Sequence, residues 1–153
     1  MALYNLPNFA ALLPPGARLI GLDPGARLIG VALSDVNRQI ASPYATLPRA
    51  RLGQNAAAVA DIAAREGAGG LVIGLPLDMG QNWGPRAQAA RDWAHALSAA
   101  ARLPAMMMDE SLSTAETHER LIAAGLSRAR RAALVDRLAA AEILQRALDR
   151  LRA

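Results

Sequence analysis

Short apolar runs separated by turn residues dominate the hydrophobic pattern of this chain. Two of them, RLIGLD and LIGVALSD, flank Pro24 and Gly25, and this arrangement is typical of a β-hairpin. A later run, LVIGL, is continuously apolar, as expected for a central strand that is covered on both faces. The pattern predicts strands at residues 18–23, 28–35, within 41–47, 71–75 and 104–108.

Helical periodicity and capping signals occupy most of the remaining sequence. Gly67 and Gly125 follow predicted helices as C-caps. Ser113 and Glu116 form a capping box, and Ser127 caps the last helix. The predicted helices cover residues 53–66, 85–101, 113–124 and 127–150. A hairpin followed by alternating helices and strands predicts an α/β protein with a mixed five-stranded sheet and helices on both faces.

Length and composition fit a single domain. With 153 residues, 53% of them hydrophobic, the chain can bury one substantial core, which we assign to residues 16–153. Residues 1–15 are interpreted as an N-terminal extension without the features of a signal peptide. No segment has the roughly 18 consecutive apolar residues of a membrane span, and the absence of cysteine excludes disulfides. We therefore expect a soluble, cytoplasmic protein with no membrane partner.

The charge pattern points to an anionic partner. The net charge is +4, and all 17 basic residues are arginine. Arg128, Arg130 and Arg131 cluster at the start of the last predicted helix, where cations oppose the helix dipole. Contact with nucleic-acid phosphates would compensate for this, whereas the alternative is a solvated arginine patch without a partner.

Three carboxylates lie in separate segments near predicted element boundaries or on the last helix. Asp23 ends the first strand, Glu110 follows the fifth strand, and Asp136 lies on the last helix beside a stripe of small residues. A carboxylate at the edge of an apolar run is costly to bury unless a positive group lies beside it. If the three converge, they form a site for a hard divalent cation, which prefers oxygen ligands. This arrangement is typical of a metal-dependent nuclease.

Each carboxylate also has a structural interpretation. Asp23 could initiate the turn at Pro24. Glu110 could compensate the dipole of the helix that follows it. Because adjacent side chains on a strand point in opposite directions, only one of Asp109 and Glu110 should enter a site. Asp136 could be a buried acid paired with an arginine such as Arg137. We assign Asp23, Glu110 and Asp136 to the site.

Four segments together resemble the YqgF family, whose members are also described as Holliday junction resolvase-like or pre-16S rRNA nuclease proteins. The segments are GLDPGARLIGVALSD, LVIGLPLDMGQNWG, DESLSTAETHERLIAAGLSRARRAALVD and DRLAAAEILQRALD. The resemblance implies a ribonuclease H-like fold in which Asp23, Glu110 and Asp136 bind Mg²⁺ or Mn²⁺. It also implies hydrolysis of phosphodiester bonds, with trimming of the 5′ end of the small-subunit rRNA precursor as the usual role.

Residues around the three acids are assigned to substrate binding. They are Arg27, Ser113, Thr114, Arg128, Arg130 and Arg131. Two positions depart from the family pattern, because Leu28 stands where a basic residue is frequent and Ser111 stands where arginine commonly follows the Asp-Glu pair. Both departures remove positive charge near the site, so they bear on substrate affinity more than on metal binding.

Several alternatives remain open at the level of sequence. Four-way DNA junctions are the alternative substrate to an rRNA precursor, and ribosomal particles are a further partner. A non-catalytic nucleic-acid-binding or ribosome-binding module is a second class of function. An actin-like ATPase fragment is a third, although the chain lacks a second domain to enclose a nucleotide. We expect a monomer or weak dimer, since symmetric junction cleavage favours a dimer and RNA trimming needs one site.

Overall fold

The computed structural model describes residues 3–75, 85–109, 125 and 127–153. Within them, five strands form a single mixed sheet. The strands are β1 (Arg18–Pro24), β2 (Leu28–Ser34), β3 (Ala41–Pro48), β4 (Ala68–Leu75) and β5 (Ala105–Asp109). Their order across the sheet is β3-β2-β1-β4-β5. Strand β2 is antiparallel to both β1 and β3, whereas β1, β4 and β5 are parallel to one another.

Helices cover both faces of the sheet, as the sequence predicts. In the described ranges they are α1 (Leu6–Leu12), α2 (Leu52–Glu66), α3 (Pro85–Ala101) and α4 (Arg128–Arg152). Helices α2 and α3 share a buried cluster with Ile20 and Leu22 of β1. Helices α1 and α4 share a second cluster with Leu19 of β1 and Val72 of β4, on what we call the α4 face. None of these four helices is long and apolar enough to cross a membrane.

Glycines in neighbouring strands allow α4 to lie close to the sheet. A Cβ atom added at Gly21 of β1 would be 2.7 Å from Leu144 Cβ. One added at Gly74 of β4 would be 2.6 Å from Ile143 Cδ1. Both separations are shorter than ordinary Cβ contacts. A larger residue at Gly21 would require α4 to shift, because the Ala140 carbonyl oxygen would also lie only 2.9 Å away, whereas at Gly74 the end of the Ile143 side chain would have to move. The small residues on the sheet therefore set the height of α4 above it.

The residues before β1 also contribute to the core of the α4 face. Phe9 in α1 is fully buried, and a Cβ added at Gly70 would be 2.8 Å from Phe9 Cζ. The residues that precede α1 pair with the outer edge of β5. Leu3 bridges to Ala105, and the Tyr4 amide donates to the Ala105 carbonyl over 2.9 Å. This segment covers a strand edge that would otherwise be open to pairing with another chain.

The predicted elements agree closely with those observed. Strand β4 begins at Ala68 rather than at residue 71, because it pairs with the start of β1 despite two glycines of low strand propensity. Pro43 lies within β3, which tolerates a residue lacking an amide hydrogen because it is an edge strand. Helix α1 has no counterpart in the sequence prediction. The helix predicted at 113–124 lies outside the described residues.

Hydrogen bonds hold the C-terminal end of α4 to the turn between β2 and β3. Gln145 accepts a bond from the Ala41 amide over 2.8 Å and donates to the Gln39 carbonyl over 2.9 Å. Arg152 donates to the same Gln39 carbonyl over 2.8 Å and pairs with Asp149. Because its far end is held in this way, α4 has a defined direction across the sheet.

Candidate active site

Strands β1, β3, β4 and β5 end at one edge of the sheet, which we call the carboxyl edge. The pairing of Pro24 with Ile29 and of Leu28 with Pro48 brings the ends of β1 and β3 to either side of β2. Leu75 pairs with Asp109, so β4 and β5 also end together. In open α/β sheets this edge is where ligands bind.

Asp23 lies at the carboxyl edge and is directed toward the α4 face. It is the next-to-last residue of β1, and 8% of its surface is exposed. Side chains alternate along a strand, and Leu19 belongs to the cluster of the α4 face whereas Leu22 belongs to the opposite cluster. Asp23 therefore shares a face with Leu19. It is an almost fully buried acid at the end of an apolar strand.

Asp136 lies on α4 directly above the β1–β2 hairpin. A Cβ atom added at Gly30 would overlap the backbone carbonyl of Asp136, and Gly30 is the residue that pairs with Asp23. A Cβ added at Gly25 would be 3.8 Å from the Asp136 carboxylate oxygen Oδ1. The structure thus brings two of the three predicted acids to the same corner of the carboxyl edge. The absence of a side chain on Gly30 makes this approach possible.

Asp136 occupies the helical position that its neighbours predict. Ala139, Ala140 and Ile143 are buried against the sheet, and Ala147 continues the same stripe. Asp136 itself is partly buried. The carboxylate is therefore held at the margin of the packed interface, between the sheet and solvent.

The third predicted acid, Glu110, lies outside the described residues, as do Ser113 and Thr114. Strand β5 ends at Asp109, immediately before it. In the described part of the chain, no group of three histidine, aspartate or glutamate side chains has the proximity needed for a metal site. The described residues supply two carboxylates to this corner.

The predicted substrate-binding arginines lie around the carboxyl edge. Arg27 is exposed in the hairpin turn between β1 and β2, close to Gly25. Arg128 and Arg130 are exposed in the first turn of α4, and Arg131 follows them in a partly buried position. Ser127 caps this helix as predicted, accepting a bond from the Arg130 amide over 3.3 Å. Eight residues of helix, roughly 12 Å, separate Arg128 from Asp136, so the basic turn lies beyond the acids along α4.

A further arginine, Arg49, lies at this edge and was absent from the sequence prediction. Its Nη1 donates to the Gly25 carbonyl over 2.9 Å, and its guanidinium lies over the Trp93 ring at 4.9 Å from the centroid. Its amide donates to the Arg27 carbonyl over 2.8 Å. The signal in the sequence was the position of Arg49 directly after a strand, which is the criterion that selects Asp23.

The fold that carries these acids is ribonuclease H-like. The structure aligns with that of Thermus thermophilus RuvC in complex with Holliday junction substrate, with a TM-score of 0.51. The alignment covers 90% of this chain and 97% of that chain at 18% sequence identity, which shows a shared fold.

The chain belongs to the RuvX family. The family model, described as Holliday junction resolvase, matches residues 17–150. A protein of Acidiphilium cryptum named “Putative pre-16S rRNA nuclease” is 54% identical over 99% of this chain and 96% of its own length. A protein of Gluconacetobacter diazotrophicus with the same name is 53% identical over 97% of each chain. RuvX is another name for the YqgF family, so the resemblance to that family is confirmed over nearly the whole sequence.

Proposed function

We propose that this chain is a metal-dependent nuclease that hydrolyses phosphodiester bonds, and that it trims the 5′ end of pre-16S rRNA during ribosome biogenesis in the cytoplasm. Two lines of support come from its relatives. It belongs to the RuvX family, and two relatives that bear the pre-16S rRNA nuclease name are 54% and 53% identical to it across almost their whole length.

One structural observation carries the proposal: Asp136 of α4 is packed against the hairpin that contains Asp23. Elements that are distant in sequence bring a second carboxylate to the corner where a nearly buried carboxylate already lies. Like charges in a poorly solvated site repel each other, which disfavours the ionised state unless a cation lies between them. This corner is therefore suited to bind a cation.

The alternation of side chains along β5 supports Glu110 as the third acid. Met106 and Met108 belong to the cluster of the α4 face, whereas Met107 packs against the opposite cluster. If this alternation continues for two residues beyond Met108, position 110 belongs to the same face as Asp23 and position 109 does not. We therefore propose Glu110, rather than Asp109, as the partner of Asp23 and Asp136.

The donor set fits Mg²⁺ or Mn²⁺. The proposed ligands are all carboxylates, and the chain has no cysteine that would favour a softer metal. Asp23, Glu110 and Asp136 would hold the ion. When bound, a divalent cation supplies a water of lowered pKa and stabilises charge on the leaving oxygen of a phosphodiester.

Residues of the chain itself position the two acids and bind the substrate. Strand pairing holds Asp23, and Asp136 lies on a helix that is anchored at its far end, so the fold fixes the backbone positions that carry the two carboxylates. We propose that Arg27, Arg128, Arg130 and Arg131 bind backbone phosphates on either side of the cleaved bond. Ser113 and Thr114 are proposed to donate hydrogen bonds to the backbone of the same nucleic-acid strand.

The test is cleavage of a 5′-extended small-subunit rRNA precursor in the presence of Mg²⁺, Mn²⁺ or EDTA. Wild-type protein should cut only with metal, and Asp23→Asn and Asp136→Asn should each lose cleavage while remaining folded. Asp61→Asn is a matched control, because Asp61 is an exposed carboxylate of α2 whose ion-pair partner is Arg65. Binding of the precursor without cutting, equal in wild type and both site variants, would replace the nuclease with a non-catalytic binding module.

A four-way DNA junction is the second candidate substrate. The description of the family model as Holliday junction resolvase favours it, and both nucleic acids present the same phosphodiester chemistry. Symmetric cutting of a junction requires two active sites, so this activity predicts a dimer on the substrate. RNA trimming and contact with ribosomal particles need only a monomer. The same cleavage assay, run with a synthetic junction beside the precursor, distinguishes the two.

A further inference from the structure

Arg49 is held at the carboxyl edge by three contacts, two with the turn between β1 and β2 and one with α3. The Nη1 atom donates to the Gly25 carbonyl over 2.9 Å, and the backbone amide donates to the Arg27 carbonyl over 2.8 Å. The guanidinium also lies 4.9 Å from the centroid of the Trp93 ring. A guanidinium has five N–H donors, and the bond to Gly25 uses one of them. Arg49 is nevertheless exposed to solvent.

The loop that carries Arg49 is itself fixed. Asn55 of α2 is 3% exposed and forms hydrogen bonds to both sides of Arg49. Its Oδ1 accepts from the Ala50 amide over 2.9 Å, and its Nδ2 donates to the Pro48 carbonyl over 3.0 Å. A buried polar side chain with both of its groups satisfied specifies one loop conformation. The position of Arg49 is therefore set by the fold and is not that of a freely moving surface side chain.

Arg49 and the arginines at the start of α4 are carried by different parts of the fold. Gly25 lies between Arg49 and Asp136, because its carbonyl accepts from Arg49 and a Cβ atom added to it would be 3.8 Å from Asp136 Oδ1. Trp93 packs against the cluster of α2 and α3, which lies on the sheet face opposite α4. The guanidinium of Arg49 thus lies toward the sheet face opposite the one that α4 and its basic first turn cover. Arg51 adds a second exposed positive charge beside Arg49.

We propose that Arg49, oriented by Trp93 and Gly25, binds a backbone phosphate of the nucleic acid on the side of the acids opposite the α4 arginines. This inference rests on the proposed function and extends it to a second phosphate contact. The strand being cut would then be held on both sides of the scissile bond. A planar guanidinium that is already stacked loses little conformational freedom when it binds phosphate, so its contribution to affinity is large for a single surface residue.

The alternative is that Arg49 only braces the hairpin next to Asp23. The two roles differ in their dependence on salt. A phosphate contact releases counterions, so its loss lowers the slope of log Kd against log salt concentration by about 0.7 for single-stranded nucleic acid and about 0.9 for a duplex. A brace that touches only protein leaves this slope unchanged.

The experiment measures binding of the labelled 5′-extended rRNA precursor, and of a labelled four-way junction, in EDTA between 50 and 300 mM salt. Arg49→Gln removes the charge at nearly constant length, whereas Arg49→Lys retains it. Arg65→Gln is the matched control, because Arg65 is an exposed arginine at the C-terminal end of α2, away from the acids. Thermal unfolding of each variant establishes that it is folded.

We expect Arg49→Gln to weaken binding about five- to eight-fold near 0.1 M salt and to lower the slope by 0.7 to 0.9, in proportion to one lost phosphate contact. Arg49→Lys should keep most of the slope, and Arg65→Gln should match wild type. If Arg49→Gln binds with wild-type affinity and slope but cleaves more slowly, Arg49 is a brace and this inference is overturned while the nuclease stands. If wild type binds neither nucleic acid and cuts neither in the presence of metal, both proposals are overturned.

Discussion

The backbone of Asp136 lies directly against Gly30, so closely that a Cβ atom at residue 30 would overlap the Asp136 carbonyl oxygen. Gly30 pairs with Asp23 across the β1–β2 hairpin. A residue with no functional group therefore sets the spacing between the two described carboxylates. Any side chain at position 30 must either push α4 outward or deform β2.

The first prediction follows from this contact. Gly30→Ala should lower the free energy of unfolding by about 1–3 kcal/mol, the usual cost of overpacking, and should reduce cleavage because Asp136 moves away from Asp23. Urea denaturation and the precursor assay measure the two effects. Gly53→Ala is the control, since a Cβ there meets no atom within 4 Å. Full stability and activity in Gly30→Ala would show that α4 is less closely constrained than the structure indicates.

A second prediction concerns metal binding in the absence of substrate. Mg²⁺ or Mn²⁺ should raise the melting temperature of the wild-type protein, because a ligand that binds only the folded state stabilises it. Asp23→Asn and Asp136→Asn should abolish this rise. Scanning calorimetry with and without metal provides the measurement.

The control for that experiment is Asp61→Asn, which removes an exposed carboxylate from α2. It should retain the full metal-dependent rise in melting temperature. An equal rise in Asp23→Asn, Asp136→Asn and wild type would place the metal elsewhere. A rise lost in only one of the two site variants would show that the other carboxylate has a different role.

The sheet could be predicted from sequence because its signals are local. Apolar runs such as Leu71–Leu75 need burial on both faces, and the turn at Pro24 and Gly25 joins two of the strands. Helix α1 was not evident, because it is only seven residues long and contains a proline. Pro7 lies in its first turn, where a missing amide hydrogen is tolerated, and burial of Phe9 stabilises it. That burial depends on tertiary contacts.

The site was only partly predictable, because part of it also depends on tertiary contacts. Asp23 could be selected because it ends a strand, and Asp136 because its helix neighbours are small and apolar. The role of Gly30 could not be derived, since it depends on the path of α4 across the sheet. Arg49 was missed because its stacking partner, Trp93, is distant in sequence and its hydrogen bond goes to a backbone carbonyl. The local signal is that Arg49 follows a strand, and neither partner adds another near residue 49.

A third prediction tests the contribution of α1. Phe9→Ala should lower the free energy of unfolding by about 3–5 kcal/mol, because a fully buried aromatic ring is replaced by a cavity. Leu12→Ala, on the same helix, should change it little, since Leu12 is 46% exposed. Urea denaturation of both variants makes the comparison. Similar small losses in the two would mean that α1 adds little to the stability of the core.

The last prediction concerns acid stability and the turn between β2 and β3. Asp35 accepts hydrogen bonds from the Gln39 amide over 2.7 Å and from the Ile40 amide over 3.0 Å. The bond from Ile40, followed by that from Gln39, lowers the pKa of Asp35 below its ordinary value of 3.8. The ionised carboxylate therefore stabilises the turn that positions Arg38, whose Nη1 donates to the Ala17 carbonyl.

Because the pKa of Asp35 is lower in the folded state, its contribution is fully present above the ordinary value of 3.8 and is lost as the pH falls through the folded-state pKa. Asp35→Asn keeps an acceptor oxygen but carries no charge. The stability difference between wild type and Asp35→Asn should therefore be constant near neutral pH and shrink below about pH 4. Urea denaturation across that range measures it. A difference that is independent of pH would mean that the charge of Asp35 contributes nothing to the turn.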